Sequence, residues 1–142
     1  MSVADCLIDT SALVRVLGRR STEDWERRIG AGLVALCDLT ELEVLHSARS
    51  AKDRESLGER LALFTWCPMP DGIYRRARTV QEQLTAKGEP RSAGPADLLL
   101  AATAEQSGLT LLHHDHDFET IARTTGQPTR MLDLRQPPAG SG

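Results

Sequence analysis

Five acidic residues stand at positions where a reactive site is readily built: Asp9, Glu43, Asp97, Asp115 and Asp117. Asp9 follows a short apolar run and opens Asp9-Thr10-Ser11. Glu43 lies within Thr40-Glu41-Leu42-Glu43-Val44-Leu45. Asp97 is set in Pro95-Ala96-Asp97-Leu98-Leu99-Leu100, where an unpaired carboxylate is costly. Asp115 and Asp117 share the segment His113-His114-Asp115-His116-Asp117-Phe118. Singly, each has an ordinary explanation. Asp9, Asp115 and Asp117 suit helix N-caps. Asp97 suits the positive end of a helix, a gain of roughly 0.3–1 kcal/mol. Glu43 suits a solvated helix face. Jointly these explanations weaken, because clustered carboxylates raise one another's pKa unless a cation neutralises them. An all-oxygen acidic set suits Mg²⁺ or Mn²⁺ better than zinc or copper.

The histidines offer a competing metal reading. His113, His114 and His116 flank Asp115, but neither an HExxH motif nor a Cys/His pair with zinc spacing accompanies them. Consecutive residues at a strand end face opposite ways, so His113 and His114 do not readily share one ion. What remains for them is proton transfer or a phosphate contact. Other catalytic templates are missing from the chain: there is no GxGxxG, GxxxxGK[ST] or GxSxG. Cys6, Cys37 and Cys67 are widely spaced and lie in or beside apolar segments. They read as buried hydrophobes of a reducing compartment, which points to the cytoplasm.

The elements that must position the acids follow from periodicity and punctuation. Apolar runs at 3–8, 33–37, 65–69, 109–112 and 129–132 read as strands, the last at an edge. Helices are expected over 12–17, from Ser21 to Gly30 or Gly32, from Asp38 or Thr40 to about 49, over 53–64, from an Asp71 cap to 86, over 95–106 and from 115–117 to 123. Ser21 and Asp24 are spaced like a capping box. The helix at 95–106 is apolar nearly all round and should be buried. Strands alternating with helices imply an α/β domain over residues 1–135 with a mostly parallel, four- to five-stranded sheet. The tail at 136–142 is rich in Pro, Gly and Ser and is expected to be disordered. In such a sheet the strand C-termini and the helix N-termini that follow share one edge, where sites form. All five acids fall at that edge.

Composition narrows the field. The 142 residues carry a net charge of −3, with 40% hydrophobic and 26% charged residues. That excludes binding to nucleic acid by bulk positive charge. Any such contact needs local patches: Arg15, Arg19 and Arg20; Arg27 and Arg28; Arg75, Arg76 and Arg78; Lys87 and Arg91. No apolar run approaches the ~20 residues of a membrane span, and the start lacks the basic region of a signal peptide.

Four segments together resemble the PIN-domain family, in particular the VapC-type ribonuclease toxins of bacterial toxin–antitoxin pairs. They are Leu7-Ile8-Asp9-Thr10-Ser11-Ala12-Leu13, Thr40-Glu41-Leu42-Glu43-Val44-Leu45, the helix from Pro95 to Ala104 around Asp97, and Leu111-Leu112-His113-His114-Asp115-His116-Asp117-Phe118. Their order and spacing span nearly the whole chain. Two features depart from the family pattern: either Glu41 or Glu43 fills the helical acid position, with the surrounding pattern favouring Glu43, and His114 stands where Thr or Asn is usual. The resemblance implies a three-layer α/β/α domain and a metal-dependent endoribonuclease using Mg²⁺, with Mn²⁺ as substitute. It implies Asp9, Glu43, Asp97 and Asp115 as the catalytic set. Asp9, Asp97 and Asp115, with Asp117 completing the shell, are the implied metal ligands, and Ser11 or Thr10 orients them. The implied substrate is RNA, often tRNA or rRNA. The implied partners are a cognate antitoxin and a second copy in a homodimer, with Trp25 placed either in the core or as an anchor for the antitoxin. An inactive module of the same fold that binds RNA or protein is the alternative, and a phosphoacceptor domain using Asp9 as nucleophile is a third reading.

Overall fold

The computed structural model describes residues 4–18 and 23–134. The Ser21 capping box, Arg19, Arg20, Val3 and the 136–142 tail lie outside the described residues. Five strands, β1 (Cys6–Ile8), β2 (Val34–Leu36), β3 (Thr65–Trp66), β4 (Thr110–His113) and β5 (Thr129–Met131), form one sheet in the order β3-β2-β1-β4-β5. Every pairing is parallel. The chain builds outward from β1 through β2 to β3, then returns to place β4 on the other side of β1. The reversal therefore falls between β1 and β4, the position at which open parallel sheets form their crevices.

Among the described residues seven helices connect the strands: α1 (Thr10–Val16), α2 (Glu23–Gly30), α3 (Asp38–His46), α4 (Ala51–Leu61), α5 (Ile73–Ala86), α6 (Pro95–Gln106) and α7 (Asp117–Thr125). Alternation along the strands divides the core into two layers. Leu7, Ala35 and Leu111 pack with α5, α6 and α7, burying Val80, Leu84, Leu98, Ala104 and Phe118. Cys6, Ile8, Leu36 and Leu112 face the other way, onto Leu13, Trp25, Ile29, Val44 and Leu61 of α1 to α4. The result is the expected α/β/α sandwich. Helix α6 is buried along most of its length, as its composition requires: Leu98 and every residue from Leu100 to Ala104 are buried. Arg76 clamps it to α5 through two parallel bonds to Glu105, 2.6 and 3.0 Å long.

Several element boundaries differ from the sequence expectation, each for a local reason. Helix α1 starts at Thr10 rather than 12, because the Asp9 side chain caps it by accepting the Ala12 N–H at 2.8 Å. Helix α4 starts at Ala51 because Ser50 accepts the Asp53 N–H at 3.1 Å, and it stops at Leu61 rather than 64. Helix α3 ends at His46, three residues short, where the Ser47 hydroxyl bonds back to the Val44 carbonyl. Asp71 does not cap α5; Gly72 holds that position without a side-chain bond. Strand β3 is only two residues long, ended before Pro68. Helix α7 extends to Thr125 and closes on Gly126, whose φ of 75° is left-handed and natural only to glycine.

All three cysteines are buried free thiols. Burial pushes the Cys6 thiol up to about 12, with Asp5 adding to the effect, so it does not ionise near neutrality. Trp25 is 2% exposed, which places it in the core. No described helix is long and apolar enough to cross a membrane.

Candidate active site

The crevice at the β1/β4 switch point is a cavity of about 240 Å³ lined by Asp9, Thr10, Ser11, Val14, Glu43, Ala96, Asp97, Leu100 and Asp115. Two larger cavities among the described residues, one beside Trp25 and Arg130 and one between Val16 and Phe64, lack this concentration of acids. Four of the five acids singled out in the sequence therefore border one space. They come from four separated parts of the chain, brought together by the sheet.

Asp9 is the most deeply set. It is 3% exposed, directly beyond β1, and its own N–H extends the ladder to the Leu112 carbonyl at 3.0 Å. Burial pushes its carboxyl up from the ordinary 3.8. Three contacts oppose that rise. The Ser11 hydroxyl lies 2.9 Å from Oδ1 and 2.7 Å from Oδ2, and the Ala12 N–H donates to Oδ1 at 2.8 Å. Ser11 Oγ also accepts the His114 N–H at 2.9 Å. One hydroxyl thus joins the loop after β1 to the loop after β4.

Asp97 sits in the first turn of α6 and accepts the Gly94 N–H at 3.4 Å. That bond is long, and it is half of a capping box, since glycine has no side chain to return the other half. The Asp97 carboxyl is raised to about 6, chiefly by burial, with Asp115, Asp117 and Asp9 each adding a smaller push in the same direction. The Gly94 amide opposes the rise, with a larger effect than any one of the three acids. Mutual repulsion among gathered carboxylates thus adds to the effect of burial.

Asp115 is half-buried. Its Oδ1 accepts the Asp117 N–H at 3.0 Å, so it starts α7 although His116 occupies the formal N-cap position. Asp117 is exposed and lies outside the cavity lining, yet close enough to act on Asp97. Glu43 is exposed on α3, and the Thr10 hydroxyl donates to its Oε1 at 3.1 Å. Glu41, its rival in the sequence, is half-buried and absent from the cavity lining.

Among the described residues, no three His, Cys, Asp or Glu side chains converge closely enough to cage a metal ion. The acids surround a space rather than a point. The donors are nevertheless all oxygen. Mg²⁺ commonly keeps several waters and takes only one or two carboxylates, so an open rim of oxygens fits it where a zinc site would need a tight N/S set.

The histidines separate as their alternation requires. His113 is 1% exposed, while His114 and His116 are exposed. The His113 ring packs on Phe118 at 5.3 Å between centroids, and burial lowers its pKa from the ordinary 6.5. His116 Nδ1 lies 3.2 Å from Glu119 Oε2. The sequence reading missed the contacts made by Thr10 and His113, and both are side-chain bonds that no short motif encodes.

Comparison with known proteins agrees with this architecture. The family model described as "PIN domain" matches residues 6–124. The chain is 44% identical over 135 residues to Ribonuclease VapC2 of Mycobacterium tuberculosis (strain CDC 1551 / Oshkosh), covering 94% of this chain and 96% of that protein. It is 41% identical over 127 residues to Ribonuclease VapC21 of Mycobacterium tuberculosis (strain ATCC 25618 / H37Rv), covering 89% and 92%. Among solved structures it is similar to DNA-bound VapBC from Salmonella typhimurium, with a TM-score of 0.75, 17% identity and coverage of 91% and 98%. It is also similar to VapBC2 from Rickettsia felis bound to a promoter DNA fragment, with a TM-score of 0.73, 16% identity and coverage of 89% and 98%. At those identities the structural likeness speaks for the fold.

Proposed function

The chain belongs to the PIN-domain family and within it to the VapC proteins, and from that premise we propose that it is a divalent-metal-dependent endoribonuclease, the toxin of a VapBC-type pair. The observation that carries the reading is Asp97: its carboxyl is held near 6 by burial and by three neighbouring acids, a repulsion that a bound cation relieves. Relatives of near full-length overlap that are named ribonucleases support the choice of RNA as substrate.

In this reading Asp9, Asp97 and Asp115 hold Mg²⁺, or Mn²⁺ in its place, directly or through water, and Asp117 supports them from outside. Asp9 Oδ2 accepts the Ser11 hydroxyl at 2.7 Å, and a carboxylate has further lone pairs to offer a ligand. When bound, the ion supplies stabilisation of charge on the phosphate and a more acidic water. The protein's own groups do the rest. Ser11 fixes the Asp9 carboxylate against rotation. Glu43 is solvent-facing and steadied by Thr10, which suits it to take a proton from the attacking water. The scissile RNA lies across the open mouth of the cavity. By the same resemblance the target is tRNA or rRNA and the partners are a cognate antitoxin and a second copy in a homodimer; the free, buried cysteines support the cytoplasm as the compartment.

The test is cleavage of end-labelled RNA by the purified chain, freed of antitoxin, with Mg²⁺ and with a chelator. Cutting should require the ion and disappear in Asp9→Asn and Asp97→Asn while both proteins stay folded. Undiminished cutting in either variant, or in chelator, overturns the proposal.

A further inference from the structure

We propose that His113 is a positioning residue: its ring, fixed as the Nε2–H tautomer with Nδ1 bare, holds the backbone of Asp115 and so aims the Asp115 carboxylate at the acidic cavity. Its importance for catalysis rests on the reading above; the tautomer and the backbone bond do not.

The argument is geometric. The Asp115 N–H donates to His113 Nδ1 at 3.2 Å. A backbone amide can only donate, so Nδ1 must present its lone pair, and the ring proton of the neutral form resides on Nε2. The ring has little freedom to do otherwise. It is 1% exposed, stacked at a 46° tilt on Phe118, and attached to the last residue of β4, whose carbonyl accepts the Leu132 N–H at 2.6 Å. Beyond that anchor the chain leaves the sheet, and three of the next four amides are caught by side chains. The His114 N–H goes to Ser11 Oγ, the Asp115 N–H to His113 Nδ1, and the Asp117 N–H to Asp115 Oδ1. The middle bond orients the peptide that carries Asp115, and the third orients its carboxylate. Without an acceptor at Nδ1 the Asp115 amide has none of these holds. His114 and His116 are exposed and bond to none of the acids lining the cavity.

Two arms test this on the full chain. In the first, long-range ¹H–¹⁵N NMR on the metal-free protein reads the tautomer directly. A proton on Nε2 and an acceptor-type Nδ1 are expected; a proton on Nδ1 overturns the proposal. In the second, three variants are titrated with Mn²⁺ alone by calorimetry and assayed on RNA. His113→Phe fills the ring volume with no acceptor. His113→Gln moves the acceptor too far along the side chain. His113→Asn places an oxygen near the Nδ1 position. Positioning partners of metal ligands are typically worth about 10- to 100-fold. Phe and Gln should therefore weaken Mn²⁺ binding about tenfold and lower kcat by about 10- to 100-fold with KM within about twofold, and Asn should restore most of both. Wild-type Mn²⁺ affinity in a folded Phe or Gln variant overturns the proposal, as does failure of Asn to recover more than Gln. If the wild-type chain neither binds Mn²⁺ nor cuts RNA, the functional reading fails, and the NMR arm still decides the role of His113. If His113→Phe does not fold, the Gln and Asn pair carries the comparison.

Discussion

The Thr10 hydroxyl donates to Glu43 Oε1 at 3.1 Å, joining the first residue of α1 to the outer face of α3. Among the described residues, this bond is what tethers the Glu43 side chain beside the cavity. Thr10→Val keeps the shape of the side chain and removes the donor. It should lower kcat for RNA cleavage by about 2- to 13-fold, an order set by one lost orienting bond worth roughly 0.5–1.5 kcal/mol. Thr10→Ser should recover it. Because the pair is exposed, the unfolding midpoint should barely move.

Glu43 and Glu41 are separable on the same grounds. Glu43→Gln should reduce cleavage by at least about 100-fold if it takes the proton from water, following the usual range for general bases. Glu41→Gln, at a residue outside the cavity lining, should cut at the wild-type rate. Single-turnover assays at saturating Mg²⁺ distinguish the two.

Asp97 makes a prediction about stability. Its folded pKa of about 6 lies above the ordinary 3.8, so the charged form is disfavoured by folding. The penalty is present in full above pH 6 and is relieved as the pH falls from 6 towards 4. At full strength the shift corresponds to about 3 kcal/mol. Screening by water at the open mouth reduces this to roughly 1–2 kcal/mol. Asp97→Asn should therefore be inactive yet more stable than the wild type at pH 7.5, and the advantage should vanish near pH 4. Adding Mg²⁺ should raise the wild-type midpoint and leave that of Asp97→Asn nearly unchanged. Urea unfolding across the pH range checks both.

The positions of Asp9 and Asp97 were legible in the sequence because each is adjacent to a strong signal. Asp9 ends an apolar strand, and Asp97 interrupts a helix that is otherwise apolar all round. The sheet order is consistent with the alternation of strands and helices, and α6 is buried as its composition demands. What escaped was set by contacts between distant residues. Thr10 and Glu43 are 33 positions apart, and Ser11 and His114 are 103 apart. No periodicity reports such bonds. His113 escaped for a different reason: as the last residue of a strand it looked like half of an alternating pair, and only the turn beyond it shows what Nδ1 accepts. The Asp71 cap was a plausible signal that the proline-rich approach to α5 does not use.

Ser11→Ala removes a donor from buried Asp9 and an acceptor from the His114 amide at once. The expected loss is about 1–3 kcal/mol, the cost of leaving such groups unsatisfied. Asp9 already has a raised pKa, and losing Ser11 raises it further, so the variant should be hurt most at pH 8 and least at acidic pH. Equal loss at pH 8 and pH 4.5 by denaturant titration would place the damage elsewhere.

Trp25 distinguishes a core role from a partner-anchoring one. At 2% exposure it packs with Ile29 and Leu13, and the Arg130 guanidinium lies 5.7 Å from its ring. Trp25→Ala should cost about 3–5 kcal/mol of stability with no partner present. A change below about 1 kcal/mol in urea unfolding of the isolated chain is incompatible with the core assignment.

The strand order also governs when the acidic cavity can exist. Strand β1 pairs on one side with β2, soon after it in the chain, and on the other with β4, Cys6 opposite Thr110. Asp9 waits on that second pairing, since its amide bonds the Leu112 carbonyl and its Ser11 clasp reaches the residue after β4. A chain emerging in order from the ribosome can thus form β1, β2 and the helices between them while the crevice has only one wall. Closing it requires bringing together segments on the order of a hundred residues apart, a slow, non-local step. Nascent and truncated chains lacking β4 hold Asp9 and Glu43 without Asp115 opposite, so the cavity forms only after β4 has joined the sheet.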